Sequence, residues 1–276
     1  MRESTNGKAD PGNYLHVSEN HRERSTLNGK FDMKLGILNA CSPADEAEFG
    51  TREFETFQTF LAMADHDFML VEYRITEGDF PDAPTACDAY LITGSPKGVY
   101  DGEVWIAQLQ DFIRAAHAQR RKLVGICFGH QILAHALGGH TEKSEKGWGI
   151  GRHVVEIAAT RPWMQPPLPT GGFYFCHQDQ VQQLPNGAER LAGNNFCPNG
   201  MFVIGEEGLG DRVFGLQAHP EFTPAVMAHA FNWLRTQADQ ALVDQAVART
   251  VGQAVDNAVM AQWIVNFLCD DTTRTI

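Results

Sequence analysis

From Lys34 onward, short apolar runs alternate with segments of helical period. The runs "KLGILNA" (34–40), "DFMLVEYR" (67–74), "AYLITG" (89–94) and "KLVGICF" (122–128) have the length of single strands and are rich in Leu, Ile and Val, as expected for strands covered on both faces. Between them, "TREFETFQTFLAMA" puts Phe54, Phe57 and Leu61 on one helical face. The stretch "DGEVWIAQLQDFIRAAHAQR" does the same with Trp105, Leu109, Phe112 and Ala116, and Asp101 stands where an N-cap is expected. Strand followed by helix followed by strand calls for parallel crossovers, so the pattern predicts an α/β fold with a mostly parallel sheet and helices on both faces.

After Gly139 the pattern changes. "GRHVVEIAA", "GFYFCH", "MFVIGEE" and "RVFGLQAH" follow one another with turns and no long helix between them, which predicts an antiparallel extension that makes the sheet mixed. The Pro-rich "RPWMQPPLPT" (161–170) reads as a loop, a candidate rim over a site. Helix returns in "TPAVMAHAFNWLRT", with Thr223 as N-cap and Pro224 in the first turn. Between 238 and 268, Leu242, Val247, Val251, Val255, Val259, Trp263 and Phe267 recur at helical spacing. That face must dock on the core or on a second copy, so a homodimer stays open. Residues 1–32 are polar and aperiodic and read as a disordered tail, with Met33 a candidate natural start. The expected organisation is therefore tail 1–32, main domain 33–236 and helical C-terminal extension 237–276.

Composition narrows the function. A chain of 276 residues can hold one large domain, or at most two small ones, and 43% apolar content is ample for a buried core. Its longest apolar runs fall far short of the ~20 residues a bilayer span needs, so no membrane segment is expected. A net charge of −12 with no Lys/Arg cluster repels polyanions and argues against nucleic acid. Six cysteines without a CxxC pair give neither a disulfide scaffold nor a zinc site, so no metal is expected and the cytoplasm is the natural setting. No Gly-rich phosphate loop of standard pattern is present.

The chemistry centres on "GICFGHQ" (125–131). Gly125-Ile126-Cys127-Phe128-Gly129 is a G-x-C-x-G sequence between a strand and a helix, the context of a nucleophile elbow, where flanking glycines let two chain segments pass without a Cβ clash. Cys127 would sit at the carboxyl end of a parallel strand, where open α/β sheets bind ligands, and at the positive end of a helix. A Gly-flanked core cysteine is the competing reading of the pentapeptide alone. A nucleophile needs a base, and most of the eleven histidines have ordinary explanations: His16 and His21 lie in the tail, and His117, His135 and His229 fall in helix patterns. His219 differs, because it ends the strand "VFGLQA" and is followed two residues later by Glu221, with Pro220 restraining the backbone between them. Thiol, imidazole and orienting carboxylate form a triad assembled from distant parts of the chain. A redox-sensing or non-catalytic thiol module would need no His-Glu pair.

Taken together, "LITGSPKGVYD", "GICFGHQ", "CHQDQV" and "QAHPEF" resemble, in order, the motifs of the class I glutamine amidotransferases, the triad-type glutaminases, over about residues 34–235. The resemblance implies a flavodoxin-like, roughly seven-stranded mixed sheet. It also implies that Cys127 is the nucleophile, His219 the general acid/base and Glu221 the residue that orients it. By the same resemblance the backbone N–H groups of Ser95 and Phe128 form the oxyanion hole, and Gly94, Gln131, Gln178 and Asp179 contact the bound glutamyl group. Relatives often have a second glycine at Ser95, and Ser or Asn at Cys176. The implied reaction is cleavage of a γ-glutamyl amide, of glutamine or another γ-glutamyl compound, through a cysteine thioester without metal or organic cofactor. Ammonia would pass to a separate synthetase subunit. "GICFGHQ" with "EKGWGIG" (145–151) is also similar to stand-alone relatives of the guanylate-synthetase glutaminase domain, including γ-glutamyl peptidases that act on glutathione-like compounds, which leaves the leaving group open.

Overall fold

The structure is a computed structural model that describes residues 33–270. The tail expected over 1–32 lies outside the described residues. The chain begins with β1 (Met33–Asn39), α1 (Pro43–Phe49), α2 (Glu53–Leu61), β2 (Phe68–Arg74), β3 (Ala89–Ile92), α3 (Val104–Ala118), β4 (Lys122–Ile126) and α4 (Phe128–Ala136). It continues with β5 (His140–Lys143), β6 (Gly149–Ile157), β7 (Thr170–His177), β8 (Asp179–Gln183), β9 (Ala188–Gly193), β10 (Met201–Glu206) and β11 (Gly210–Leu216), then α5 (Pro224–Gln237), α6 (Gln240–Thr250) and α7 (Asn257–Cys269).

Nine strands form one sheet in the order β2-β1-β3-β4-β11-β10-β9-β6-β7, so the expected seven is corrected to nine; β5 and β8 pair in a separate two-stranded sheet. From β2 to β11 every pairing is parallel, and from β11 to β7 every pairing is antiparallel. The predicted mixed sheet is thus observed.

Side-chain alternation divides the core into two faces. On β3, Ala89 and Leu91 pack with α2 and α7, while Tyr90 and Ile92 pack with α3 and α4. The predicted stripe of Trp105, Leu109, Phe112 and Ala116 is buried. A third cluster sits where α5 and α6 cover Ile150 and Tyr174.

Three further sequence expectations are corrected. Asp101 does not cap α3. Its carboxylate turns back to accept from the Gly98 N–H at 3.0 Å, and Glu103 takes the N-cap position. The Pro-rich segment is no rim: Trp163 and Met164 are buried in the core, where Trp163 packs edge-on against Phe214 and Phe267 at 5.1 and 5.4 Å. Its indole N–H donates to Asp211 at 2.8 Å, and Asn266 of α7 donates to the Trp163 carbonyl at 3.0 Å. Finally, the apolar periodicity of 238–268 spans two helices. The chain breaks between Thr250 and Asn257, where Gly252 adopts φ 75° and Val251 is 70% exposed.

The second of these helices belongs to the main core. Trp263 and Phe267 are fully buried, and truncating either would cost about 3–5 kcal/mol. Buried Lys122 at the start of β4 fastens its last turn, donating to the carbonyls of Phe267, Leu268 and Asp270 at 2.8, 3.2 and 2.5 Å. A cation at a helix C-terminus also complements the dipole. No described helix is long and apolar enough to cross a membrane.

Candidate active site

The β4–α4 junction has the sharp geometry expected of an elbow. Cys127 adopts φ 51° and ψ −103°, a region that costs a side-chain-bearing residue about 1–3 kcal/mol. Its N–H donates to the Leu216 carbonyl at 2.9 Å, and the Gly129 N–H donates to the Thr93 carbonyl at 3.1 Å, so neighbouring strands hold the turn. The flanking glycines are required by close approach. A Cβ on Gly125 would overlap the Gly129 carbonyl, and one on Gly129 would overlap the Ile92 carbonyl. Phe128 opens α4, so its N–H has no carbonyl four residues back within the helix. Its ring packs in the core, 5.5 Å from Trp105, leaving the backbone as its contribution at the elbow.

The histidine arrives from the adjacent strand. β11 runs parallel to β4 with Leu216 opposite Ile126, so the two carboxyl ends lie side by side. The His219 N–H donates to the Tyr174 carbonyl at 2.8 Å, which fixes the backbone beyond the strand. Nδ1 lies 2.6 Å from Glu221 Oε1, and the ring stacks on Phe222 at 4.1 Å. With Nδ1 engaged by the carboxylate, Nε2 is the nitrogen left for Cys127, which lines the same cavity. Burial pushes the imidazole toward its neutral form. The negative charges of Cys127 and Glu221, with their hydrogen bonds, outweigh that and raise its pKa well above 6.5. The site therefore holds His219 in its protonated form between Cys127 and Glu221.

Three side chains not anticipated from the sequence surround this group. Gln217 Nε2 lies 3.6 Å from the Cys127 sulfur, and its Oε1 accepts from Gln131 Nε2 at 3.2 Å. Alternation along an extended segment could have found it, since Gln217 and His219 are two residues apart. Tyr100 donates to Asp179 Oδ2 at 2.7 Å. Glu53 is buried within electrostatic range of Glu221 and His219; burial, then the charge of Glu221, pushes its carboxyl up to about 8. Glu221 Oε2 is buried with no hydrogen-bond partner.

A cavity of about 330 Å³ brings together Gly94, Ser95, Cys127, Gln131, Gln178, Asp179 and His219, a size at the lower end of small-molecule sites. Glu221 stands behind His219, 2% exposed. Gln131 also donates to the Asp179 carbonyl at 2.9 Å, which ties α4 to the 177–179 segment. Cys176 lines the cavity as a neutral thiol, its pKa pushed up to about 12 by burial. His177 is buried with Nδ1 3.0 Å from the Asp179 carbonyl, and burial lowers its pKa to about 3, so it stays neutral and supports the loop. The cavity has two characters: Lys97, Lys143 and Asp179 on a polar side, and Phe49, Trp148, Phe222 and Trp233 on an aromatic side. No group of three or more His, Cys, Asp or Glu side chains among the described residues could hold a metal ion.

Comparison with known proteins agrees with this architecture. Gamma-glutamyl peptidase 3 of Arabidopsis thaliana is 31% identical over 163 residues, 56% of this chain and 64% of that relative, so the match spans slightly less than two thirds of the plant protein. The glutamine-hydrolysing GMP synthase of Porphyromonas gingivalis is 29% identical over 142 residues, 51% of this chain and 26% of the synthase. The crystal structure of a glutamine amidotransferase from Thermotoga maritima superimposes with a TM-score of 0.65 at 16% identity, covering 85% of this chain and 97% of that one, a likeness of fold. Residues 60–235 match the family model described as glutamine amidotransferase class-I, and the chain belongs to that family.

Proposed function

We propose that the chain is a cysteine-dependent hydrolase of γ-glutamyl amides, with Cys127 as nucleophile, His219 as general acid/base and Glu221 as its orienting partner. The observation that carries this reading is one cavity lined both by an elbow cysteine and by an imidazole whose Nδ1 is held 2.6 Å from the buried side chain of Glu221.

The sulfur of Cys127 attacks the γ-carbonyl carbon, and the carbonyl electrons move to oxygen. The N–H groups of Phe128 and Ser95 receive that oxyanion; one such donor is worth about 10²–10³ in rate. His219 Nε2 gives its proton to the departing nitrogen as the C–N bond breaks, leaving a γ-glutamyl thioester. Water then loses a proton to Nε2 and attacks the thioester, releasing glutamate and restoring the thiolate. Gly94, Gln131, Gln178 and Asp179 hold the glutamyl group, and the charged side chains on the polar side of the cavity suit its zwitterionic end.

When the substrate is glutamine the product is ammonia, which a separate synthetase subunit could take up. All six cysteines are free thiols, in keeping with a reducing cytoplasmic setting. The test is intact-mass measurement after incubation with 6-diazo-5-oxo-norleucine, alongside an assay for glutamate release. A single adduct on Cys127, absent from Cys127→Ala, is expected. An unlabelled wild-type protein that releases no glutamate from glutamine or any γ-glutamyl amide would overturn the reading.

A further inference from the structure

We propose that the aromatic side of the cavity is a subsite for an aromatic ring on the leaving amine, so that the preferred substrates are γ-glutamyl amides of aromatic amines rather than glutamine. This rests on the reading above and refines it by naming the other half of the substrate.

The imidazole decides which side is which. His219 protonates the departing nitrogen, so the amine leaves past that ring, and Phe222 stacks on the ring at 4.1 Å while lining the cavity. The helix that begins at Pro224 carries the wall outward, with Val226 and Trp233 seven residues apart on its cavity face. Phe49 and Trp148 complete it, their rings 5.0 and 5.9 Å from Trp233. Trp148 and Trp233 rest one side on the α5–α6 core and remain partly exposed on the other. Partly exposed rings in tilted and edge-on contact offer a guest ring the geometries that aromatic pairs favour.

Glutamine has no use for such a wall. Its leaving group is ammonia, which has no apolar surface to bury, and its amino-acid end is matched by Lys97, Lys143 and Asp179 on the polar side. An amine bearing a ring would bury that ring against Trp233 and Trp148 while its nitrogen stays beside His219.

The test compares γ-glutamyl-2-phenylethylamide with γ-glutamylethylamide, both amides of an unbranched primary alkyl amine. The wild-type protein is expected to favour the phenylethylamide by about tenfold in kcat/KM, mostly through KM, as contact with two rings would give. Trp233→Leu and Trp148→Leu should each reduce that ratio severalfold while Cys127 remains labelled by 6-diazo-5-oxo-norleucine. If Trp233→Leu fails to fold, the wild-type ratio and Trp148→Leu carry the test. Turnover of both amides with equal efficiency overturns the subsite and leaves the hydrolase reading standing. A ratio unchanged in a folded, labelled variant also overturns it. A wild-type protein that takes the label and cleaves glutamine but neither amide overturns the subsite alone, whereas one that takes no label and releases no glutamate from glutamine or either amide removes the hydrolase reading and the subsite with it.

Discussion

Glu53→Gln should stabilise the protein at neutral pH, by an amount that follows from the environment of one buried carboxyl. Glu53 is 6% exposed at the start of α2, and its carboxyl titrates at about 8 against an ordinary 4.5. Between those values the folded chain keeps a proton that the unfolded chain releases, so stability falls as pH rises, by about 1.4 kcal/mol per pH unit. At pH 7 the interval from 4.5 gives a loss of about 3 kcal/mol, and above about 8 the loss levels off. Glutamine keeps the shape and stays neutral at every pH. The backbone is anchored separately, the Glu53 N–H donating to Glu46 Oε1 at 3.0 Å. Urea denaturation of both proteins from pH 4 to 9 isolates the effect, because titrating groups remote from Glu53 cancel in the difference. The expected difference is near zero at pH 4, grows to about 3 kcal/mol in favour of the variant at pH 7 and is flat beyond pH 8. A difference independent of pH would refute the reasoning, since it would mean that Glu53 ionises in the folded protein as it does in water.

Cys127→Ala removes the strongest influence raising the pKa of His219, so the imidazole of the variant, followed by nitrogen NMR, should titrate at lower pH than in the wild type. The raised imidazole pKa stabilises the fold below pH 6.5, and that contribution is lost as pH rises through the folded value. Cys127→Ala should therefore flatten the alkaline decline in a thermal melt series. If the proposed mechanism holds, Glu221→Gln should lower kcat for glutamate release by about 10²–10⁴-fold, with little change in KM and a lower imidazole pKa, because in that mechanism Glu221 orients His219 without touching substrate. Lys122→Met should cost about 1–3 kcal/mol in urea, by leaving the last carbonyls of α7 without their buried donor; an unchanged midpoint would mean that water replaces the ammonium there.

The parallel half of the sheet was legible because strands buried on both faces carry a local signature, unbroken Leu, Ile and Val runs between helical segments. β5 and β8 carry none. "HTEK" and "DQVQQ" are polar, and they become strands only by pairing with each other. The stretch 238–268 misled in the opposite way, since apolar spacing continues across the break at Gly252 and periodicity alone cannot show that the chain has turned. Cys127 and His219 could each be singled out because each follows the carboxyl end of its own strand in a characteristic short motif. The aromatic side of the cavity could not, because Phe49, Trp148 and Trp233 come from three distant segments and meet only through tertiary packing.

The pairing of Leu216 with Ile126 has a consequence for how such proteins diversify. The spacing of sulfur and imidazole is stored in the hydrogen-bond ladder of two central strands; sliding them by one residue would displace His219 by about 3.3 Å and reverse its side of the sheet. The residues that would greet the outgoing amine belong to peripheral helices and turns that contribute nothing to that ladder. Lineages sharing this scaffold can therefore exchange one clientele of amides for another by rewriting the periphery, while the bond-breaking apparatus is inherited untouched.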